Sequence, residues 1–167
     1  MSDYIVKTID TKHFSLTQNE LPLGDLKYKS RFSFKAEVNL ADASAYKFEP
    51  KGFWGNTIEL KDRYRTVLYF KQNWKGKIII NALFENYNRQ FTLKQKGVFK
   101  SGYVLCDVND RVLLDVTANF KWKKFNYDYI LSVNPELDKL EYRHILLLTS
   151  IYCINYYLRR NASMITS

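Results

Sequence analysis

Glycine and proline are scarce in this chain, at 6 and 3 of 167 residues, and cysteine, methionine and histidine number two each. With no Ser-rich or low-complexity stretch either, nothing marks a linker, and a single domain over residues 1–167 is expected. Cys106 on a strand-like run and Cys153 on a helical run form no disulfide framework, and both read as packing residues. Met1-Ser2-Asp3-Tyr4 lacks the charged start and apolar core of a signal peptide, so a cytoplasmic protein is expected. His13 and His144 have no Cys or carboxylate at metal-ligand spacing. There is no phosphate-binding Gly-rich loop, nucleophile elbow or zincin helix. Asp107-Val108-Asn109-Asp110 offers oxygen ligands but lacks the rest of a calcium loop, and it reads as a hairpin turn. A non-enzymatic protein is expected, with no catalytic residue, metal or cofactor.

What is present is aromatic and alternating. The 13 Tyr and 11 Phe favour strands, where large rings fit a pleated surface. Arg31 to Val38 alternates strictly, placing Phe32, Phe34, Ala36 and Val38 on one face. Phe91 to Lys94 and Tyr127 to Val133 follow the same rule. Thr66 to Phe70 and Lys77 to Ile80 are apolar on both faces and read as covered strands. Turn signals at Leu23-Gly24-Asp25, Lys51-Gly52, Trp74-Lys75-Gly76 and Val108-Asn109-Asp110 separate these runs. Many short strands at regular spacing predict a barrel or sandwich. An echo at an offset of 45 residues sets Tyr46 to Trp54 beside Phe91 to Phe99, and Leu60, Asp62 and Val67-Leu68 beside Leu105, Asp107 and Val112-Leu113.

One long helix follows the strands. Asn134 is a favoured N-cap, Pro135 suits the first helical position, and Glu136 and Asp138 against Arg159 and Arg160 complement the dipole. A helix over 135–160 is predicted, roughly 39 Å long. Its dense apolar segment, His144 to Leu158, is apolar on nearly every side, so it must be surrounded by protein or by lipid. That segment reaches roughly 22 Å against a hydrocarbon core of about 30 Å. Burial inside protein is therefore expected, and a C-terminal membrane tail anchor is the alternative.

The charge balance is +9, from 26 Lys and Arg against 17 Asp and Glu. Residues 71–134 carry 11 basic and 5 acidic side chains, which is most of the excess. Such an excess favours phosphate-bearing surfaces. The stretch Phe120 to Tyr127 interleaves Lys121, Lys123 and Lys124 with aromatics, a pattern that suits phosphate headgroups with Trp122 at the interface. It matches no established RNA-binding signature, so nucleic acid is not expected.

Two strand modules followed by one greasy C-terminal helix resemble the tubby-like fold, shared by tubby domains, phospholipid-scramblase-like proteins and LURP-one-related proteins. Tyr103 to Leu114 carries the closest likeness: a strand that ends in Asp107, turns, and resumes with Leu113-Leu114. Lys121-Trp122 to Tyr127-Asp128-Tyr129 is similar to the last strands of those barrels. The resemblance implies a predominantly β, α+β fold: a closed antiparallel β-barrel of about 12 strands over residues 4–133, enclosing one hydrophobic C-terminal helix. The expected function is peripheral binding of an anionic membrane surface or another phosphate-bearing ligand through Lys94, Lys96, Lys100, Lys121, Lys123 and Lys124. A structural or protein-interaction domain without a small ligand is the second reading. An enzyme assembled at a barrel mouth from residues scattered in sequence is the third.

Overall fold

The computed structural model describes residues 1–52, 56–97, 102–121, 123 and 126–165. Twelve strands come first: β1 (Ser2–Thr8), β2 (His13–Gln18), β3 (Leu21–Tyr28), β4 (Ala36–Leu40), β5 (Ala45–Lys51), β6 (Thr57–Lys61), β7 (Thr66–Gln72), β8 (Ile78–Ala82), β9 (Arg89–Gln95), β10 (Gly102–Cys106), β11 (Val112–Lys121) and β12 (Asn126–Val133). Two helices follow, α1 (Pro135–Asp138) and α2 (Arg143–Ile165). Every strand pairs antiparallel with its neighbours in sequence, and β1 pairs with β12, Ser2 opposite Val133 and Val6 opposite Tyr129. The result is a closed up-and-down barrel, which leaves no strand edge to template aggregation.

Alternation along the strands sends one set of side chains into a single core. Val6, Leu16, Leu26, Val38, Phe48, Leu60, Phe70, Ile80, Phe91, Leu105, Val116 and Leu131 are all buried, and they share a cluster with Leu146, Leu147, Ile151 and Tyr152 of α2. Three strands converge on Tyr152. Its ring stacks on Phe48 of β5 at 4.0 Å and on Tyr28 of β3 at 5.6 Å, and Phe70 of β7 meets it edge-on at 5.8 Å. A polar chain crosses the same core. The Tyr129 hydroxyl donates to Asn155 Oδ1 (2.5 Å), and Asn155 Nδ2 donates to the Tyr28 hydroxyl (3.2 Å). Burial pushes both phenols far above their ordinary pKa, so both stay neutral donors and acceptors.

Three expectations need correction. The turn at Leu23-Gly24-Asp25 is absent: these residues run inside β3, and the turn is Asn19-Glu20, both with positive φ (48° and 67°). Gly24 is required there for space, because a Cβ would lie 2.8 Å from Leu40 Cδ2 and 3.3 Å from Leu148 Cδ1 of α2. The strand expected from Arg31 begins only at Ala36. Lys29 N–H donates to Lys35 O and closes a loop, so Phe32 stands 87% exposed instead of facing inward. The single helix over 135–160 is two helices. Asn134 does cap, its Oδ1 accepting from Glu136 N at 2.7 Å, but α1 ends after one turn. The break at residues 139–142 turns Tyr142 onto Phe84, stacked at 4.5 Å, and α2 then runs from Arg143 to Ile165, so Arg159 and Arg160 are not in its last turn as expected.

The 45-residue echo has a structural counterpart, since the offset carries β5, β6 and β7 onto β9, β10 and β11 within one residue at their starts. Gly52 and Gly97 match as well, both at positive φ (77° and 71°).

Candidate functional site

An up-and-down barrel sorts its connections: successive hairpins open at alternate ends. The links β1–β2, β3–β4, β5–β6, β7–β8, β9–β10 and β11–β12 share one end, and the others, with the β12–α1 link, share the opposite end. The last turns of α2 reach the first end. Arg159 Nη1 donates to Ser33 O (3.1 Å), the Tyr157 hydroxyl donates to Gln95 Oε1 (3.3 Å), and Gly76 packs beside Tyr157. This sorting segregates charge. At the first end or on strand termini leading to it stand Lys12, Lys29, Arg31, Lys35, Lys51, Lys71, Lys75, Lys77, Lys96, Lys121, Lys123, Arg159 and Arg160, against Asp10 in its connections and Glu37 at the start of β4 among the described residues.

Most of these cations are unneutralised. Lys51 pairs with Glu59 (3.1 Å), Lys96 with Asp115, and Lys121 with Asp128 (3.8 Å). Lys12, Lys29, Arg31, Lys35, Lys71, Lys75 and Lys77 make no ion pair among the described residues. Two large apolar rings stand among them, Phe32 on β3–β4 and Trp74, 90% exposed, on β7–β8. The Lys75 ammonium lies 5.1 Å from the Trp74 ring and the Arg31 guanidinium 5.7 Å from Phe32.

Trp74 also divides two depressions. One, of about 370 Å³, runs toward the end of α2 and is lined by Asn56, Lys71, Asn73, Trp74, Arg160 and Asn161 among others. The second, of about 550 Å³, descends the outer wall past Lys75, Lys77, Gln90 and Thr92 to Asp107 and Asp110.

The chain matches no protein-family model, no curated protein and no solved structure. The chemistry of the site therefore rests on its own residues.

Of the lysines expected to bind an anion, Lys123 is exposed at the basic end, and Lys121 sits there with Asp128. Lys94 and Lys96 lie on or beside β9. Lys94 Nζ donates to Asp110 Oδ1 at 2.7 Å, which holds the ammonium above the usual lysine value, and the Lys96 stem lies over Gly102. Lys100, Lys124 and Trp122 are outside the described residues. The structure adds Lys29, Arg31, Lys35, Lys71, Lys75 and Lys77, which were not picked out from sequence. The signal was available: numbering the turns alternately in a closed meander collects these residues at one end.

The opposite end spends its carboxylates on structure. Asp62 Oδ1 accepts from Tyr64 N (2.7 Å) and Arg65 N (2.8 Å), and Asp107 Oδ1 accepts from Asn109 N (2.8 Å) and Arg111 N (3.0 Å). Asp138 takes the Ser2 hydroxyl at 2.6 Å and the Tyr4 hydroxyl at 2.5 Å. Burial opposes ionisation of Asp138, yet those two hydroxyls and the Arg143 charge outweigh it and hold the carboxyl below the usual range. No group of three His, Cys, Asp or Glu is placed to hold a metal ion among the described residues. Both cysteines are buried and unbridged, and burial pushes the Cys153 thiol well up. Among the described residues no helix is long and apolar enough to cross a membrane.

Proposed function

We propose that this protein is a non-enzymatic tubby-like barrel that docks on phosphate-bearing anionic ligands through its basic end, as a peripheral cytoplasmic module. In this reading α2 runs through the barrel as its central rod, entering beside Tyr4 and Phe84 and leaving beside Ser33 and Gly76. The burial of every residue from Ile145 to Tyr156 supports that path, as do the three-strand grip on Tyr152 and the helix contacts near both ends.

The segregation of unpaired cations at one end carries the functional reading. Solubility alone would be served by cations scattered over the wall. Gathered on one face, each Lys or Arg near an anionic surface contributes about 1 kcal/mol of attraction, falling off within a Debye length of about 8 Å at physiological salt. The test is co-sedimentation with phosphatidylserine-containing and neutral vesicles at low and raised salt. Pelleting with anionic vesicles only, weakened by salt and by Lys71→Glu/Lys75→Glu/Lys77→Glu, is expected. Equal pelleting with neutral vesicles, or none with either, overturns the reading.

A further inference from the structure

We infer that the partner at the basic end is an anionic bilayer met end-on, with Phe32 and Trp74 as two prongs that enter the acyl region. This rests on the phosphate-docking reading above and names its partner. The two rings are presented by constructed turns. On β3–β4, Ser33 N–H donates to Ser30 O (3.2 Å), Lys35 N–H to Ser33 Oγ (3.0 Å) and Lys29 N–H to Lys35 O (2.9 Å), while Arg159 of α2 holds Ser33 O. On β7–β8, Asn73 Oδ1 accepts from Lys75 N and Lys77 N, both at 3.0 Å, and Gly76 adopts φ +80°. Each turn thus holds a large apolar ring in water, flanked by cations without carboxylate partners.

That combination suits a bilayer. The rings pass the headgroups while Lys29, Arg31, Lys35, Lys71 and Lys75 keep their charges at phosphate level on flexible stems. Single-stranded nucleic acid needs successive rings to stack successive bases. Here the rings stand on hairpins four strands apart, on the order of 20 Å along the wall. Exposed rings also occur at the other end, as with Tyr64 at 86%, but there Asp62 accompanies the flanking arginines. Tyr64 is therefore the internal control.

The experiment reads Trp74 directly. In a Trp54→Phe/Trp122→Phe chain, Trp74 is the remaining tryptophan. Its emission should shift to the blue with phosphatidylserine-containing vesicles and be quenched by lipids brominated on their acyl chains. If that background fails to fold, the same quenching compared between the parent and Trp74→Phe isolates the residue. Phe32→Ser and Trp74→Ser should each weaken vesicle partitioning on the order of tenfold, whereas Tyr64→Ser leaves it unchanged. Vesicle binding with Trp74 unquenched, or a Tyr64→Ser loss equal to that of Trp74→Ser, overturns insertion and leaves docking intact. Failure of the parent to bind any vesicle overturns the docking reading as well. Tight binding of a single-stranded oligonucleotide without vesicle binding overturns the bilayer as partner.

Discussion

Replacing Asn155 by leucine tests whether α2 is locked to β12 and β3. Asn155 is 4% exposed, and its amide joins two buried hydroxyls that come from β12 and β3. Leucine has the same forked side chain with the same number of heavy atoms and is the bulkier of the two, so the substitution opens no cavity. It removes both hydrogen bonds and leaves the Tyr129 donor and the Tyr28 acceptor facing apolar surface. An orphaned buried polar group costs about 1–3 kcal/mol, so two give a loss of about 2–6 kcal/mol. Urea unfolding followed by tyrosine fluorescence or circular dichroism measures it, as a lower midpoint at constant slope. The decisive comparison is the triple variant Tyr28→Phe/Tyr129→Phe/Asn155→Leu. Removing every polar partner together is close to neutral in principle, so the triple variant should regain most of what Asn155→Leu lost. A loss below about 1 kcal/mol for Asn155→Leu, in a network that ought to cost several times more, would refute a dry, closed chain of bonds. So would a triple variant no more stable than the single one.

Gly24→Ala should destabilise by about 1–3 kcal/mol through overpacking, seen as a lower melting temperature, because the new methyl meets Leu40, Asn39 O and Leu148 together. An unchanged melting temperature would mean that α2 does not press on β3 there. Leu147→Asp places a carboxylate at a site with no exposure, and soluble folded protein should be lost on expression; recovery of a monodisperse, cooperatively melting variant would contradict the buried helix. Stability should also fall below about pH 6.5, the ordinary histidine value. Burial first, then the Arg143 charge, hold the pKa of His144 below that value, against the opposing pull of Asp138 and Asp42. The unfolded chain therefore takes up the proton first, and His144 contributes stability that is full above pH 6.5 and lost as pH drops through the folded value. Melting curves from pH 8 to 5 should slope less in His144→Gln; identical slopes would refute this coupling.

The strand order and the corrections to it have one physical source. Period-two patterning finds strands wherever one face is buried, so β9 and β12 were legible; β7 and β8 were legible as short apolar runs, and the Lys-Gly turns by their need for positive φ. It fails where alternation continues past the end of hydrogen bonding. Phe32 and Phe34 keep the rhythm of β4, but their backbone leaves the ladder to form a loop. Gly24 misled in the opposite direction. A glycine signals a turn when its φ requires it, whereas this one is needed because Leu148 leaves no room for a side chain. No local pattern can report a contact between residues 24 and 148.

The candidate site shows the same division more sharply. Counting charge along the chain pointed to residues 71–134 and to six lysines, of which Lys96, Lys121 and Lys123 stand at the basic end, while Lys94, Lys96 and Lys121 each face an aspartate across the wall and Lys100 and Lys124 lie outside the described residues. Position along the chain does not by itself report which residues of a meander share an end. What matters is the parity of the connection, because every second hairpin shares an end. Counted that way, Arg31 at one side of the sequence and Lys75 in its middle come to the same end, and the aspartates at positions 42, 62 and 107 fall together at the far end as turn builders. Two features of the chain then have one explanation. Carboxylates shape the turns at one end, as Asp62 and Asp107 do by accepting backbone N–H groups. Lysines crowd the turns at the other, where, on the proposed docking reading, an outside anion would offset their mutual repulsion.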